Sequence, residues 1–163
     1  MKKLIILLSC YFFVSLVMAA ELVGWLEDVR ILPADLLIKA KIDTGAKTTS
    51  LNCDCTTVLD NYGQKWVRFS ITDFNGKTAW FEKKVARMAI IKRHFGETQQ
   101  RPVIQLGICL GGIYKQTDVN LVDRRGMNYQ LLVGRQFLQE THVVDPGRTY
   151  LTHPTCEAEI RSD

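Results

Sequence analysis

The sequence predicts an all-β fold, a closed barrel or sandwich of short strands with one short helix after Gly134. Three observations lead there. Apolar and polar residues alternate over short runs, as in Ile38, Ala40 and Ile42 against Lys39 and Lys41, or Val67, Phe69 and Ile71 against Arg68, Ser70 and Thr72. Turn pairs separate the runs, at Asn75-Gly76, Gly111-Gly112 and Pro146-Gly147. Arg135 to Glu140 is the one segment that reads as helix, of one turn or two.

Taken in order, the chain opens with Lys2 and Lys3, an uncharged apolar run from Leu4 to Ala20, and then Glu21. That layout is a secretory signal, with cleavage expected after Ala19 or Ala20; an uncleaved inner-membrane anchor is the alternative. The expected location is therefore periplasmic or secreted. Val23 to Ile31 reads as a first strand ended by Pro33, and a second strand runs into Asp43. Thr48, Thr49 and Ser50 read as a polar strand edge. A strand over Val67 to Thr72 turns at Asn75-Gly76, the commonest two-residue hairpin signal, and returns from Thr78 to Val85. Met88 to Ile91 is apolar, and the polar stretch Lys92 to Arg101 reads as an exposed loop or hairpin tip. Val103 to Cys109 and Ile113 to Val122 form a further hairpin. Tyr129 to Val133 is a short buried strand broken by Gly134, and His142 to Asp145 is the last strand. The organisation expected is a signal over residues 1–20, one domain over 21–154 and a frayed tail over 155–163.

Loss of residues 1–20 removes two lysines and changes the formal net charge from +4 to +2. No basic stripe with interleaved aromatics occurs, which argues against nucleic acid as a partner. Membrane contact is expected only if the N-terminal segment stays in place. Four cysteines follow Glu21: Cys53, Cys55, Cys109 and Cys156. In an exported chain they allow two disulfides. Cys53 and Cys55 are too close in sequence to pair comfortably, so each is expected to bond to one of the distant two. Reduced, buried cysteines are the alternative. Trp25, Trp66 and Trp80 are read as core or interface packing.

The chemistry concentrates at Asp43-Thr44-Gly45-Ala46, where a carboxylate stands at a strand end beside a hydroxyl and a glycine. A carboxylate placed there can activate water, but it is half of an acid–base pair, and neither Asp123 nor Asp145 is followed by Thr-Gly. No His-Glu-x-x-His motif and no phosphate-binding glycine loop occur, and His94, His142 and His153 lie far apart, so no metal or other cofactor is expected.

Together, Ile42-Asp43-Thr44-Gly45-Ala46 and Leu131-Leu132-Val133-Gly134-Arg135 resemble the retropepsin-like aspartic proteases. More narrowly, Gly24-Trp25, Lys41 to Ser50, Gln64 to Phe69, Arg101-Pro102-Val103-Ile104 and Val143 to Arg148 resemble a bacterial family. Its members are often labelled ATP-dependent zinc proteases or retropepsin-like endopeptidases. The resemblance runs from about Gly24 to Leu151.

It implies a closed acid-protease barrel in which Asp43 is catalytic and a second copy supplies the other carboxylate, in a homodimer with two-fold symmetry. Two adjacent carboxylates share one proton; the ionised one takes a proton from water and the protonated one polarises the scissile carbonyl. Thr44 would hydrogen-bond across the dimer, Gly45 would present backbone to an extended peptide, and Ala46, Gly134 and Arg135 would support the loop. Viral members usually carry an acid after Asp-Thr-Gly-Ala, where this chain has Lys47. Lys47 and Arg135 would repel unless Asp54, Glu140 or Asp145 intervenes. Basic residues there suit an acidic peptide or protein substrate, with Lys47 a candidate contact. The flap is expected over Ala89 to Gln100, with Gly96 its only glycine. Two other readings share the fold: a peptide-binding module without turnover, and an amide or isopeptide hydrolase partnering a glutamate-ligase-type ATP-grasp enzyme.

Overall fold

The computed structural model describes residues 19–59, 62–91, 98–123, 126 and 128–156. The strands are β1 (Glu21–Gly24), β2 (Leu26–Leu32), β3 (Leu36–Asp43), β4 (Thr49–Asn52), β5 (Thr56–Leu59), β6 (Lys65–Thr72), β7 (Thr78–Lys84), β8 (Arg87–Ile91), β9 (Gln99–Leu110), β10 (Ile113–Val122), β11 (Leu131–Gly134) and β12 (His142–Asp145). The helix α1 (Arg135–Leu138) is a single turn.

Alternation in sequence becomes burial in the fold. β3 buries Leu36, Ile38, Ala40 and Ile42 and leaves Lys39 and Lys41 exposed. The strands pair in the order β10-β4-β11-β3-β2-β9, and β9 pairs back onto β10, which closes a six-stranded barrel. β8 joins outside β9 as an edge strand. Val29, Ile31, Ile104, Leu106, Val119 and Val133 fill the barrel at 0–1% exposure. Burying each such side chain stabilises by about 1.5–3 kcal/mol before conformational entropy is charged against it. The β5-β6-β7 sheet adds Val67, Phe69 and Ile71 to the same core, with Phe81 stacked on Phe69 at 5.2 Å.

The expected first strand is two strands. At Gly24 the chain passes so close to Arg148 O that a Cβ would strike it. Trp25 N then donates to Arg148 O (2.9 Å), and Ile42 N donates to Trp25 O (2.9 Å). The chain thereby leaves β12, its parallel partner over β1, and crosses to β3. Apolar residues continue on both sides of this break, so composition does not reveal it. The β6–β7 hairpin is also different in detail. Asp73 N donates to Lys77 O (2.8 Å), which leaves the three-residue loop Phe74-Asn75-Gly76 rather than a two-residue one. Gly76 sits at φ +84, and Asp73 Oδ1 accepts from Asn75 N and Lys77 N (2.8 and 2.9 Å).

Beyond β12 the chain is a strap held by a buried carboxylate. Glu27, at 0% exposure, accepts from Gly24 N (2.5 Å), Leu151 N (2.9 Å), Thr152 N (3.2 Å) and Thr152 Oγ1 (3.3 Å). Residues 155 and 156, expected in a frayed tail, are held: Thr155 N donates to Gly111 O (2.9 Å), and Cys156 is bonded to Cys109. That bond corrects the expected cysteine pairing, as does the joining of Cys53 to Cys55, whose Cα atoms are 5.1 Å apart. Cys53 N donates to Val122 O at one end of β10, whereas Cys109 faces Tyr114 near the other end. Eight residues of strand, roughly 25 Å, keep the two pairs apart. Trp80, read as core or interface packing, is 73% exposed and so lies outside the core.

The helical turn is closed by Lys115, whose Nζ donates to Phe137 O (2.7 Å), Gln139 O (3.3 Å) and Thr141 Oγ1 (2.8 Å). Next to it the enclosed His142 ring contacts Thr141 Oγ1 (2.9 Å) and Leu110 O (3.4 Å), stacks on Phe137 and lies 4.0 Å from Glu21. Burial lowers the His142 pKa; the Leu110 carbonyl and Glu21 oppose this, and Lys115 adds to it. The unfolded chain therefore takes up a proton at a pH where the folded chain still refuses it. Stability contributed by neutral His142 is complete above the ordinary histidine value of about 6.5 and declines as pH falls below it. Urea midpoints measured from pH 7.5 to 5 should fall with acidification, and His142→Gln should flatten that slope.

Candidate active site

Asp43 ends β3 half-buried, and its loop folds back on it. Its Oδ1 accepts from Gly45 N (3.1 Å) and Ala46 N (3.3 Å), while Ala46 N also reaches Asp43 O (3.2 Å). This is the local turn that an aspartate two residues before glycine favours. A Cβ at Gly45 would lie 3.2 Å from Asp43 Oδ1, so glycine leaves the carboxylate where it is. Thr44 and Gly45 face solvent.

The second segment braces the first. β11 runs parallel to β3 and places Gly134 opposite Asp43. Arg135 N donates to Ala46 O and Gln136 N to Lys47 O (both 2.9 Å), so the loop satisfies the open N–H groups of α1. The Arg135 guanidinium donates through Nη1 to Thr44 O (2.7 Å) and Gly45 O (2.9 Å). Gly134 N donates to Thr49 Oγ1 (3.1 Å), and a Cβ at Gly134 would lie 2.7–2.9 Å from Thr48 C, Thr48 O and Thr49 N.

Asp43, Thr44, Gly45, Ala46, Gly134 and Arg135 are thus one constellation. The side chain of Lys47 is exposed beside it. Arg135 turns to loop carbonyls, while Asp145 binds Arg148 (2.6 Å) and Glu140 acts on Lys115. Gly96 lies outside the described residues, although β8 and β9, which flank it, pair with Ile91 opposite Gln99. The four cysteines are not part of the constellation. Thr49, read as a strand edge, is fully buried in a strand with neighbours on both sides. Asn120, which the sequence reading passes over, donates to Thr49 O (2.8 Å). Its one sequence cue is an amide set between Val119 and Leu121 in a strand. Among the described residues no three His, Cys, Asp or Glu side chains gather as a metal site.

A closed barrel with a strand ending in Asp-Thr-Gly, braced by Gly-Arg from a parallel neighbour, defines a retropepsin-like fold. The chain belongs to the family described as retropepsin-like aspartic endopeptidase RimB, whose model matches residues 22–155. It is similar to a "Probable alpha-L-glutamate ligase" of Shewanella pealeana, 31% identical over 126 residues, which are 76% of this chain and 28% of that protein. A protein of the same name from Desulfotalea psychrophila is 27% identical over 113 residues, 68% of this chain and 24% of the relative. The chain therefore spans about a quarter of the length of these curated relatives. It is also similar to the crystal structure of a Legionella pneumophila protein of unknown function, at 30% identity and a TM-score of 0.65, covering 83% of this chain and all of that one.

Gly134→Ala tests the brace. The added methyl must part β4 from β11, and overpacking of this kind costs about 1–3 kcal/mol. Denaturant titration should register that loss, and the Gly45 and Ala46 amides should exchange with solvent faster.

Proposed function

We propose that this protein is an exported aspartic peptidase that works as a homodimer, with Asp43 of each copy flanking one water. The observation that carries the reading is the braced Asp43 loop: two N–H groups hold one carboxylate oxygen and Arg135 pins the loop carbonyls. In the pair the carboxyls share one proton. The ionised carboxylate removes a proton from the water as its oxygen attacks the scissile carbonyl, and the protonated carboxyl donates to the carbonyl oxygen. The tetrahedral intermediate collapses as the carboxyl that took the water proton passes it to the amide nitrogen, which leaves as the amine. A hydroxyl of the intermediate returns its proton to the other carboxylate. The loop's fixed dipoles add electrostatic preorganisation. Exposed Lys47, just after the Asp43 loop, favours an acidic substrate.

The relatives named as glutamate ligases support a second reading, in which the bond cleaved is an amide or isopeptide to glutamate. Both readings use Asp43 in the same role and differ in substrate. Asp43→Asn should lower kcat/KM about 10²- to 10⁴-fold, the usual worth of a positioned acid–base group, with little change in the thermal midpoint. Assays on acidic peptides and on glutamate-extended peptides decide between the substrates. Full turnover of both by Asp43→Asn would overturn the proposal.

A further inference from the structure

We infer that Arg101 is a positioning residue, which sets the Asp43 loop from the base of the β8–β9 hairpin through Asn120 and Thr49. The inference rests on the proposed function only in calling that loop catalytic. Gln99 and Arg101 lie two apart on β9, where it pairs with β8. The guanidinium straddles Gln99 Oε1 with Nε (3.1 Å) and Nη2 (2.9 Å), and its Nη1 donates to Asn120 Oδ1 (3.3 Å). Asn120, 5% exposed, donates from Nδ2 to Thr49 O (2.8 Å). Thr49, 0% exposed, accepts Gly134 N on Oγ1 (3.1 Å), and Gly134 stands opposite Asp43.

This chain of bonds has one workable polarity. A guanidinium offers only donors and Thr49 O only accepts, so the Asn120 amide must face them in a single orientation. The positive charge on its oxygen side polarises the amide and strengthens the bond to Thr49 O. Thr49 and Asn120 are shielded from water, so a broken link leaves a buried polar group unpaired instead of solvated. β8 is an edge strand whose backbone ladder is with β9, and its Arg87 also reaches Asp118 of β10 (2.9 Å). Displacement of the hairpin base therefore bears on Asn120, then on Thr49, and so on the brace under Asp43. The Arg101-Pro102 motif, which the peptidase reading leaves without a role, acquires one.

The test compares wild type with Arg101→Met, Arg101→Lys and Asn120→Asp by amide hydrogen exchange and by steady-state kinetics. In Arg101→Met the Gly134 and Ala46 amides should exchange about tenfold faster or more, while β6–β7 amides stay as in wild type. The kinetic loss, about ten- to hundredfold for a displaced catalytic loop, should fall in kcat rather than KM. Arg101→Lys should not rescue, because a point charge cannot bridge Gln99 and Asn120. Asn120→Asp keeps a partner for Arg101 but removes the donor to Thr49 O. It should loosen the Gly134 and Ala46 amides while the Ala89 and Arg101 amides stay protected, which also decides the matter if Arg101→Met folds poorly. Unchanged exchange at Gly134 and Ala46 in both variants, or changes confined to the hairpin, would overturn the inference. A wild-type protein without hydrolytic turnover would refute the proposed function and leave the exchange result to decide this one.

Discussion

The close approach of Gly134 to the backbone of Thr48 and Thr49 is the contact on which the candidate site depends. Backbone lies 2.7–2.9 Å from where a Cβ would stand, so any side chain there forces the neighbouring backbone to shift. That contact lets β11 lie between β3 and β4, parallel to one and antiparallel to the other. It sets Gly134 opposite Asp43 and delivers the next two N–H groups to Ala46 O and Lys47 O. The Asp43 loop and the helical turn cap each other: the loop gives carbonyls to the turn, and Arg135 returns its guanidinium to the loop. A loop fixed at both ends in this way holds its carboxylate in place, and it leaves Thr44 and Gly45 open to solvent.

The rest of the fold makes that junction rigid. The barrel closes through β9 and β10, so no core strand can slide without breaking a neighbour's ladder. Glu27 draws the strap over residues 151–152 onto β1 and β2, and the Cys109–Cys156 bond secures its far end. Lys115 and His142 hold the end of the helical turn against β10 and β9. β8, at the outer edge, has β9 as its one strand partner among the described residues, and Arg87 ties it to Asp118 of β10.

Much of this was legible in the sequence, for identifiable reasons. Period-two alternation exposed β3 and β6 because each has one wet face. The Asp43 and Gly134-Arg135 segments were legible as two short motifs, a strand-end aspartate before Thr-Gly and an apolar run into Gly-Arg, which together carry the family resemblance although they lie about ninety residues apart. What escaped was non-local. Thr49 and Asn120 are polar residues in strands, and only partners 71 and 85 residues away give them a role. Glu27 reads as an ordinary strand acid until the strap more than 120 residues later closes over it. The cysteine pairing failed for the same reason, since proximity in sequence says nothing of the length of β10 between the two pairs. The break at Trp25 is a change of partner, which no composition marks.

In the proposed function Asp43 is half of a site completed by another copy. The most direct test mixes wild-type protein with an equal amount of Asp43→Asn and allows the subunits to exchange. Only about one quarter of randomly re-formed pairs then keep two Asp43 carboxylates, so about half of the wild-type component's activity should vanish. Activity that stays at the full value of the wild-type component after demonstrated exchange would mean each chain works alone, with no second Asp43 completing the site.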